Sequence, residues 1–218
     1  MLNVFLLGDS IKGFYKSRVE EILGEDYKIW TPAENCRFAK YTLNSLRYYF
    51  AAMESDDFFP DIIHWNVGLW DLNHLYNSGK PFTELDEYIR DMNSIYILLK
   101  KTGAKIILAT TTPTRKERET AKGTQHFNEE ICIYNKKLVD ALGDKVDFVN
   151  DLYEAVQKNI NEYISDDYLH PSSKGVEVLA QQVANSIKRF KDININNVRN
   201  WDWFSKQTVD EIQEGKFQ

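Results

Sequence analysis

The chain has 218 residues, of which 43% are hydrophobic and 28% are charged. This size and composition predict one globular domain with a buried core, and they argue against disordered, collagen-like and membrane-spanning classes of protein. With 27 basic and 33 acidic residues the net charge is −6, and no cluster of Lys and Arg is large enough to follow a phosphate backbone. Nucleic acid is therefore not expected as a partner.

The predicted elements alternate between short apolar runs rich in β-branched residues and longer segments of helical periodicity. Five strands are predicted, at residues 2–7, 27–30, 62–67, 105–110 and 146–149. Five helices are predicted near residues 15–23, 41–53, 82–101, 128–142 and 172–190. Such alternation is typical of parallel βαβ units. The predicted fold class is therefore α/β, a three-layer α/β/α sandwich around a doubly wound, flavodoxin-like parallel sheet of five strands.

Residues 1–190 are expected to form this domain, and residues 191–218 a C-terminal extension. Several asparagines in the extension precede Trp201, Trp203 and Phe204. We expect these aromatic side chains to pack on the surface of the domain. Contact with a second copy of the chain in a homo-oligomer, or with a substrate cleft, is the alternative.

The two cysteines, Cys36 and Cys132, are far apart and lack CxxC spacing. Neither a disulfide framework nor a zinc site is therefore expected. The first apolar run has no basic segment before it and is too short for a signal peptide, and no run approaches ~18 apolar residues. The sequence predicts a cytoplasmic protein without membrane insertion, although a chain trimmed of a leader would read the same way.

Polar residues follow the first and third predicted strands. Gly8, Asp9 and Ser10 come directly after the first strand, and Asn66 and Gly68 lie at the end of the third. In a flavodoxin-like sheet these two strands are neighbours at the switch point, beside which ligands bind. Ser10 is therefore expected to lie close to Asn66 and Gly68.

A serine nucleophile needs a base within hydrogen-bond reach, and a carboxylate to orient that base. Of the four histidines, His64 lies within an apolar strand and favours a structural role, while His74 and His126 lie in polar loops with no recognisable partner. His170 differs because Asp167 precedes it by three residues, just before a predicted helix. One loop can therefore present both side chains to the same crevice.

Three blocks resemble those of the GDSL hydrolases, also called SGNH hydrolases, over roughly residues 2–190. They are Gly8-Asp9-Ser10, the segment from Gly68 to Asp71 (the third block of the family pattern), and the segment from Asp167 to His170, with Asn135 and Asp151-Leu152-Tyr153 as supporting features. The resemblance implies ester hydrolysis by Ser10 as nucleophile, His170 as base and Asp167 as its orienting carboxylate, with no cofactor and no metal. The adjacent Asp166 is the rival for the carboxylate role.

The predicted oxyanion hole departs from the family pattern. In the family it combines the serine N–H, the N–H of a glycine after the second strand and an asparagine in the third block. Here residues 35–39 contain no glycine, and Trp70 stands in the place of the asparagine. Losing one donor typically costs ~3–4 kcal/mol of transition-state stabilisation, so an active enzyme would need substitutes.

Several groups are candidates for these substitutes. The predicted hole comprises the backbone of Ser10, Cys36, Ala39 and Gly68 together with the side chain of Asn66, whose ordinary reading is a buried amide bonded to backbone. Asn73 and the indole N–H of Trp70 are the next candidates.

Substrate contacts are expected from Asp9, Arg37, Trp70 and Tyr168, although Asp9 and Asp71 could instead cap turns or helices and Arg37 could be an ordinary surface residue. Trp65, Trp70 and Tyr168 are also candidates for stacking on a sugar. A metal site from His64, Asp71 and His74 is not expected, because the geometry of a strand and a turn does not bring these three side chains together.

The predicted function is that of a small-ester hydrolase, most specifically an acetyl esterase acting on O-acetylated carbohydrate. A lipase or thioesterase of the same family is an alternative. A different class of protein is also left open: a carbohydrate-binding protein that retains the fold but has lost catalysis with its oxyanion hole. A nucleotide or flavin carrier is disfavoured because the sequence has neither GxGxxG nor GxxxxGK[ST].

Overall fold

A computed structural model describes residues 1–193 and 206–214. The elements of the first half of the chain are β1 (Leu2–Gly8), α1 (Ser10–Leu23), β2 (Tyr27–Trp30), α2 (Ala39–Ser55), β3 (Ile62–Asn66), β4 (His74–Leu75), α3 (Leu85–Lys100) and β5 (Lys105–Ala109). They are followed by β6 (Thr124–Gln125), α4 (Asn128–Leu142), β7 (Phe148–Asn150), α5 (Leu152–Gln157), α6 (Ile160–Tyr163), α7 (Ser173–Lys188) and α8 (Lys206–Glu214). Short 3-10 turns lie at Gly24–Asp26 and Lys116–Thr120.

The central sheet contains five parallel strands in the order β2-β1-β3-β5-β7. Helix α1 packs against α7, and α2 packs against α3, which in turn contacts α4. Every residue of β3 is buried, as expected for a central strand with both faces covered by helices. The predicted α/β class, the strand count and the order in which β1 lies beside β3 are all confirmed.

Two element boundaries differ from the prediction for identifiable reasons. Helix α1 begins at Ser10 rather than near residue 15, because the Asp9 carboxylate accepts the N–H of Ile11 at 2.9 Å and caps the helix. Strand β7 begins at Phe148 rather than at residue 146, because Val146 still donates to the carbonyl of Leu142 at the end of α4.

Three features of the loops were not predicted. Helices α5 and α6 are short, and β4 pairs antiparallel with β6 as a separate two-stranded sheet. Strands of two residues leave no detectable hydrophobic period. This small sheet nevertheless matters, because it lies in the loops that follow β3 and β5.

Part of the C-terminal extension packs on the domain. Helix α8 contacts α3, and Lys101 at the end of α3 forms an ion pair of 2.9 Å with Glu211. Trp201, Trp203 and Phe204 lie outside the described residues, so their packing on the domain stays a prediction. No helix in residues 1–193 or 206–214 combines the length and the apolar character needed to cross a bilayer.

Candidate active site

The turn between β1 and α1 brings Ser10 to the carboxyl end of the sheet. A side chain at Gly8 would meet Cβ of Lys12 at 2.7 Å and the carbonyl oxygen of Asn66 at 2.9 Å, so only glycine allows this close approach of α1 and β3. With Asp9 capping the helix, Ser10 becomes its first residue. Its hydroxyl thus lies at a helix N-terminus, beside the switch between β1 and β3.

Ser10, His170 and Asp167 form a hydrogen-bonded chain. His170 Nδ1 lies 2.6 Å from Asp167 Oδ2, and His170 Nε2 lies 2.9 Å from Ser10 Oγ. Because a carboxylate only accepts, Nδ1 carries the proton and Nε2 is left to accept the Ser10 hydroxyl. Asp166, the rival carboxylate, is fully exposed and lies 3.6 Å from Arg115 instead.

The loop that carries Asp167 and His170 is closed on itself. A bridge joins Ile164 to Pro171, and the Ser165 N–H donates to the carbonyl of His170 at 2.8 Å. Asp167 Oδ1 accepts three further hydrogen bonds, from the N–H groups of Leu169 and His170 and from the Ser165 hydroxyl. The carboxylate is therefore both the partner of the imidazole and the centre of its own loop.

The electrostatics of the loop follow from these contacts. Partial burial alone would raise the pKa of Asp167, but the hydrogen bonds from His170, Leu169 and Ser165 outweigh it and hold that pKa well below the ordinary range. Asp167 therefore stays ionised opposite the imidazole. The ring of Phe14, one helical turn beyond Ser10, stacks on His170 with centroids 4.9 Å apart and limits its rotation.

Two buried carboxylates lie beneath the site. Burial raises the pKa of Asp9 to about 6, against the hydrogen bond from Ile11. Burial likewise raises the pKa of Asp71 to about 7, although the Thr83 side chain and the Ala39 N–H both donate to it. Both oxygens of Asp71 lie near the Ala39 N–H, at 3.2 and 3.0 Å, so this carboxylate caps the otherwise uncapped helix α2.

The donors predicted for the oxyanion hole at Cys36, Ala39 and Asn66 are hydrogen-bonded to other groups of the protein. The Ala39 N–H binds Asp71, and the Cys36 N–H points to the carbonyl of Gly8 at 3.4 Å. The Asn66 amide donates to the carbonyl of Thr110 at 3.0 Å. Gly68 is packed so tightly that a Cβ would lie 3.2 Å from both Thr111 Cβ and the Tyr88 hydroxyl.

A cleft of about 370 Å³ opens beside the Ser10 hydroxyl. Ser10 and His170 line it together with Trp70, Asn73, Arg118 and His126. Trp70 is 40% exposed, which leaves much of its ring available to a ligand. Asn73 is nearly buried and its side-chain oxygen has no hydrogen-bond partner among the described residues.

The other predicted substrate contacts, Asp9, Arg37 and Tyr168, are not among the residues that line this cleft. Asp9 is buried as the cap of α1, while Arg37 lies over the ring of Tyr41 at 4.7 Å. Tyr168 has a positive φ of 67° and its ring lies under the guanidinium of Arg115 at 5.0 Å.

One stacking candidate is wrong. Trp65 is completely buried in β3, because the third strand is covered by helices on both faces and leaves no ring available to a sugar.

The three residues considered for a metal site do not converge. His64 Nε2 is hydrogen-bonded to the Asn150 amide, Asp71 caps α2, and His74 pairs with Glu130 at 2.7 Å. Among residues 1–193 and 206–214, no group of three or more His, Cys, Asp or Glu side chains is placed to hold a metal ion.

The cleft residues that sequence reasoning missed include Arg118, Thr124 and His126. His126 looked like a polar loop histidine, yet it is buried and its Nε2 lies 2.9 Å from the carbonyl of Leu69. The segment between β5 and α4 folds back over the third block through the pairing of β6 with β4. No local sequence signal reports such a long-range contact.

No protein-family model matches the sequence, and no curated protein is similar to it. Solved structures do share its fold. The acetyl xylan esterase AlAXEase has a TM-score of 0.69 and 17% identity, over 85% of this chain and 100% of its own. A GDSL-like lipase from Bacteroides thetaiotaomicron has a TM-score of 0.63 and 17% identity, over 86% and 88%. A carbohydrate esterase family 3 structure from Talaromyces cellulolyticus has a TM-score of 0.60 and 18% identity, over 89% and 100%.

These three likenesses each cover 85–89% of the chain. The resemblance to the GDSL, or SGNH, hydrolases is therefore confirmed at the level of the fold.

Proposed function

We propose that this chain, whose fold is that of the SGNH hydrolases, is a serine esterase that cleaves acetyl esters of carbohydrates. The observation that carries the proposal is the continuous hydrogen-bonded chain from Ser10 Oγ through His170 to Asp167, at 2.9 and 2.6 Å. A binding protein has no need of a serine, an imidazole and an ionised carboxylate aligned in this order.

In the proposed reaction Ser10 Oγ attacks the ester carbonyl carbon while its proton passes to His170 Nε2. Asp167 stabilises the imidazolium that forms. When the tetrahedral intermediate collapses, His170 returns the proton to the departing alcohol and an acetyl-Ser10 remains. Water, deprotonated by His170, then attacks this acyl group, and collapse of the second tetrahedral intermediate releases acetate while His170 returns the proton to Ser10 Oγ.

The oxyanion hole of this proposal combines two donors. The N–H of Ser10 lies at the first turn of α1, where the helix dipole favours a negative charge. The side chain of Asn73, which lines the cleft beside Ser10, supplies the amide that the third block lacks. Asn73 is preferred to Asn66 because the Asn66 amide already donates to the carbonyl of Thr110.

The carbohydrate part of the proposal rests on the lining of the cleft. Trp70 presents an exposed aromatic face, and Asn73 and Arg118 add polar groups that suit hydroxyls rather than a long acyl chain. Two structures with the same fold bear the names of an acetyl xylan esterase and a carbohydrate esterase. A small cleft of this character favours a short acyl group over lipid or thioester substrates.

A second candidate function is carbohydrate binding without catalysis. The specific observation in its favour is that Cys36, Ala39 and Asn66 all have their N–H groups engaged elsewhere, near a third block that contains Trp70 in place of asparagine. Such a protein would bind its ligand but would not form an acyl-enzyme.

The experiment is hydrolysis of p-nitrophenyl acetate, combined with labelling by a fluorophosphonate and mass spectrometry of the labelled peptide. Wild-type protein is expected to turn over the ester and to be labelled at Ser10. Ser10→Ala should lose both by three orders of magnitude or more. Ser17→Ala is the matched control, because Ser17 is exposed on the same helix.

Ser10-dependent turnover would establish the nucleophile. Folded wild-type protein that neither turns over the ester nor takes the label would instead favour the binding protein.

A further inference from the structure

We infer that the cleft binds an anion, and that the ester it cleaves carries a carboxylate on its alcohol part, held by Arg118. This inference rests on the proposed function and narrows its substrate class to acetylated acidic saccharides. It starts from Arg118, which lines the same cleft as Ser10 and His170. None of the three blocks that resemble the family includes this residue.

Arg118 is held by neutral groups alone. Its Nε donates to His126 Nδ1 at 3.3 Å, and its Nη2 donates to the hydroxyl of Thr124. None of the ion pairs within residues 1–193 and 206–214 includes Arg118, and its Nη1 makes no hydrogen bond there. Asp167 stabilises its charge only from beyond ion-pair distance, and that carboxylate is already bound by His170.

Two hydrogen bonds through the His126 ring fix the orientation of the Arg118 guanidinium. A carbonyl only accepts, so His126 Nε2 carries the proton that binds the carbonyl of Leu69 at 2.9 Å. His126 Nδ1 is then an acceptor, and the Nε–H of Arg118 donates to it. Burial lowers the pKa of His126 to about 4, so the ring stays neutral at physiological pH. Arg118 is thus tied to the third block, next to the reacting groups.

An unpaired guanidinium in such a place is unusual. Burial disfavours the charge of Arg118 and lowers its pKa, and partly buried arginines normally meet a carboxylate. The other arginine of this loop, Arg115, does so through Glu117 at 2.9 Å. A carboxylate on the ligand would supply the missing partner by accepting a charge-assisted hydrogen bond from the free Nη1.

The polar side chains around Arg118 favour a carboxylate on the alcohol part of the ester rather than on the acyl part. Asn73 and Thr124 line the cleft beside Arg118, and an acyl chain would leave the Asn73 side-chain oxygen and the Arg118 Nη1 desolvated without partners. A hydroxylated, carboxylated ring would satisfy them, with Trp70 available for one of its faces.

The test uses two acetyl esters that differ only in charge, 3-acetoxybenzoate and its neutral isostere 3-acetoxybenzamide. Wild-type enzyme should prefer the carboxylate by about tenfold or more in kcat/KM, as expected for a charge-assisted contact in a partly buried site. Arg118→Gln should bring the ratio of the two kcat/KM values close to one, and Arg118→Lys should retain part of the preference. Lys116→Gln, which removes an exposed positive charge from the same loop, should keep the wild-type ratio.

Binding separates the anion site from catalysis. Calorimetry with 3-hydroxybenzoate and 3-hydroxybenzamide should show tighter binding of the carboxylate by wild type and by Ser10→Ala, and no such difference in Arg118→Gln. If the esters are turned over through Ser10 without regard to charge, and the two phenols bind equally, the anion site is wrong and the esterase stands. If no ester is cleaved but the carboxylate binds through Arg118, the anion site stands and the esterase is wrong.

Discussion

Asp167 illustrates how one side chain can hold both the His170 imidazole and the loop that carries them. One oxygen binds the His170 imidazole, while the other accepts two backbone N–H groups and the Ser165 hydroxyl. These four contacts explain why its pKa stays low, and they also fix the imidazole tautomer that leaves Nε2 free to accept from Ser10.

We expect Asp167→Asn to lower kcat by about 10³–10⁴-fold, because an amide favours the wrong imidazole tautomer. The amide would also lose part of the acceptor capacity that holds the loop. Asp166→Asn is the control, since that side chain is fully exposed and does not contact His170. Its kcat for p-nitrophenyl acetate should stay within about twofold of wild type. Equal losses in the two variants would show that the carboxylate role has been assigned to the wrong residue.

The contacts of His170 with Asp167 and Ser10 could be predicted from the sequence, and the contacts of Arg118 and His126 in the cleft could not. Asp167 and His170 lie on one loop, so their spacing alone placed them together. Arg118 and His126 reach the cleft only because β6 pairs with β4 and His126 binds the carbonyl of Leu69, fifty-seven positions away. No pattern within the segment between β5 and α4 encodes that contact.

At the scale of elements, the position of His170 depends on how α7 meets α6. Ser172 caps α7, its N–H donates to the carbonyl of Tyr163 at 2.8 Å, and its hydroxyl donates to the carbonyl of Glu162 at 2.6 Å. A Cβ at Gly175 would lie only 2.0 Å from that Tyr163 oxygen. The first turn of α7 therefore packs directly against the segment that closes the loop carrying Asp167 and His170.

We expect Gly175→Ala to lower the free energy of unfolding by about 2 kcal/mol or more and to reduce kcat, because α7 must move away and take His170 with it. Gly13→Ala in α1 is the control. Nothing lies within 4 Å of a Cβ at that position, so alanine should stabilise the helix by roughly 0.5–1 kcal/mol without affecting turnover. Urea unfolding and kcat measured on both variants check the prediction. A Gly175→Ala protein with wild-type stability would contradict the packing described.

The alternation of elements could be predicted because buried strands and amphipathic helices leave long periodic signals, as in β3 and α3. Helix ends were predicted less well, because they depend on single hydrogen bonds. Asp9 starts α1 five residues early, and α2 is capped from outside its own sequence neighbourhood by Asp71. Capping across the fold has no sequence signature of the kind that local caps provide.

For the whole molecule, buried ionisable groups set opposing limits on stability. Burial lowers the pKa values of His64 to about 3 and of His126 to about 4. As the pH falls below the ordinary histidine pKa of about 6.5, these two histidines bind protons in the unfolded chain but not in the folded protein. They therefore lower the free energy of unfolding in acid. Asp9 and Asp71 act in the opposite direction, because their pKa values are raised.

The contribution of Asp71 to the free energy of unfolding is larger at low pH, because the folded protein binds the proton of this carboxyl more tightly. Between its ordinary pKa of about 3.9 and its folded value of about 7, the folded protein keeps a proton that the unfolded chain has released. Stability therefore falls as the pH rises through this window and levels off above it. Asp71→Asn removes the titration and retains an oxygen that can accept the Ala39 N–H.

We therefore expect the stability of Asp71→Asn relative to wild type to improve between pH 5 and pH 8, by on the order of 2 kcal/mol. The measurement is urea unfolding of both proteins at several pH values, in which the difference cancels the histidines and every other shared group. Asp57→Asn, at an exposed turn whose positive φ of 48° suits asparagine, is the control for replacing an aspartate by asparagine. A flat difference for Asp71→Asn would mean that this carboxylate is ionised in the folded protein well below neutral pH. Its two contacts with the N-terminus of α2 would then outweigh its burial.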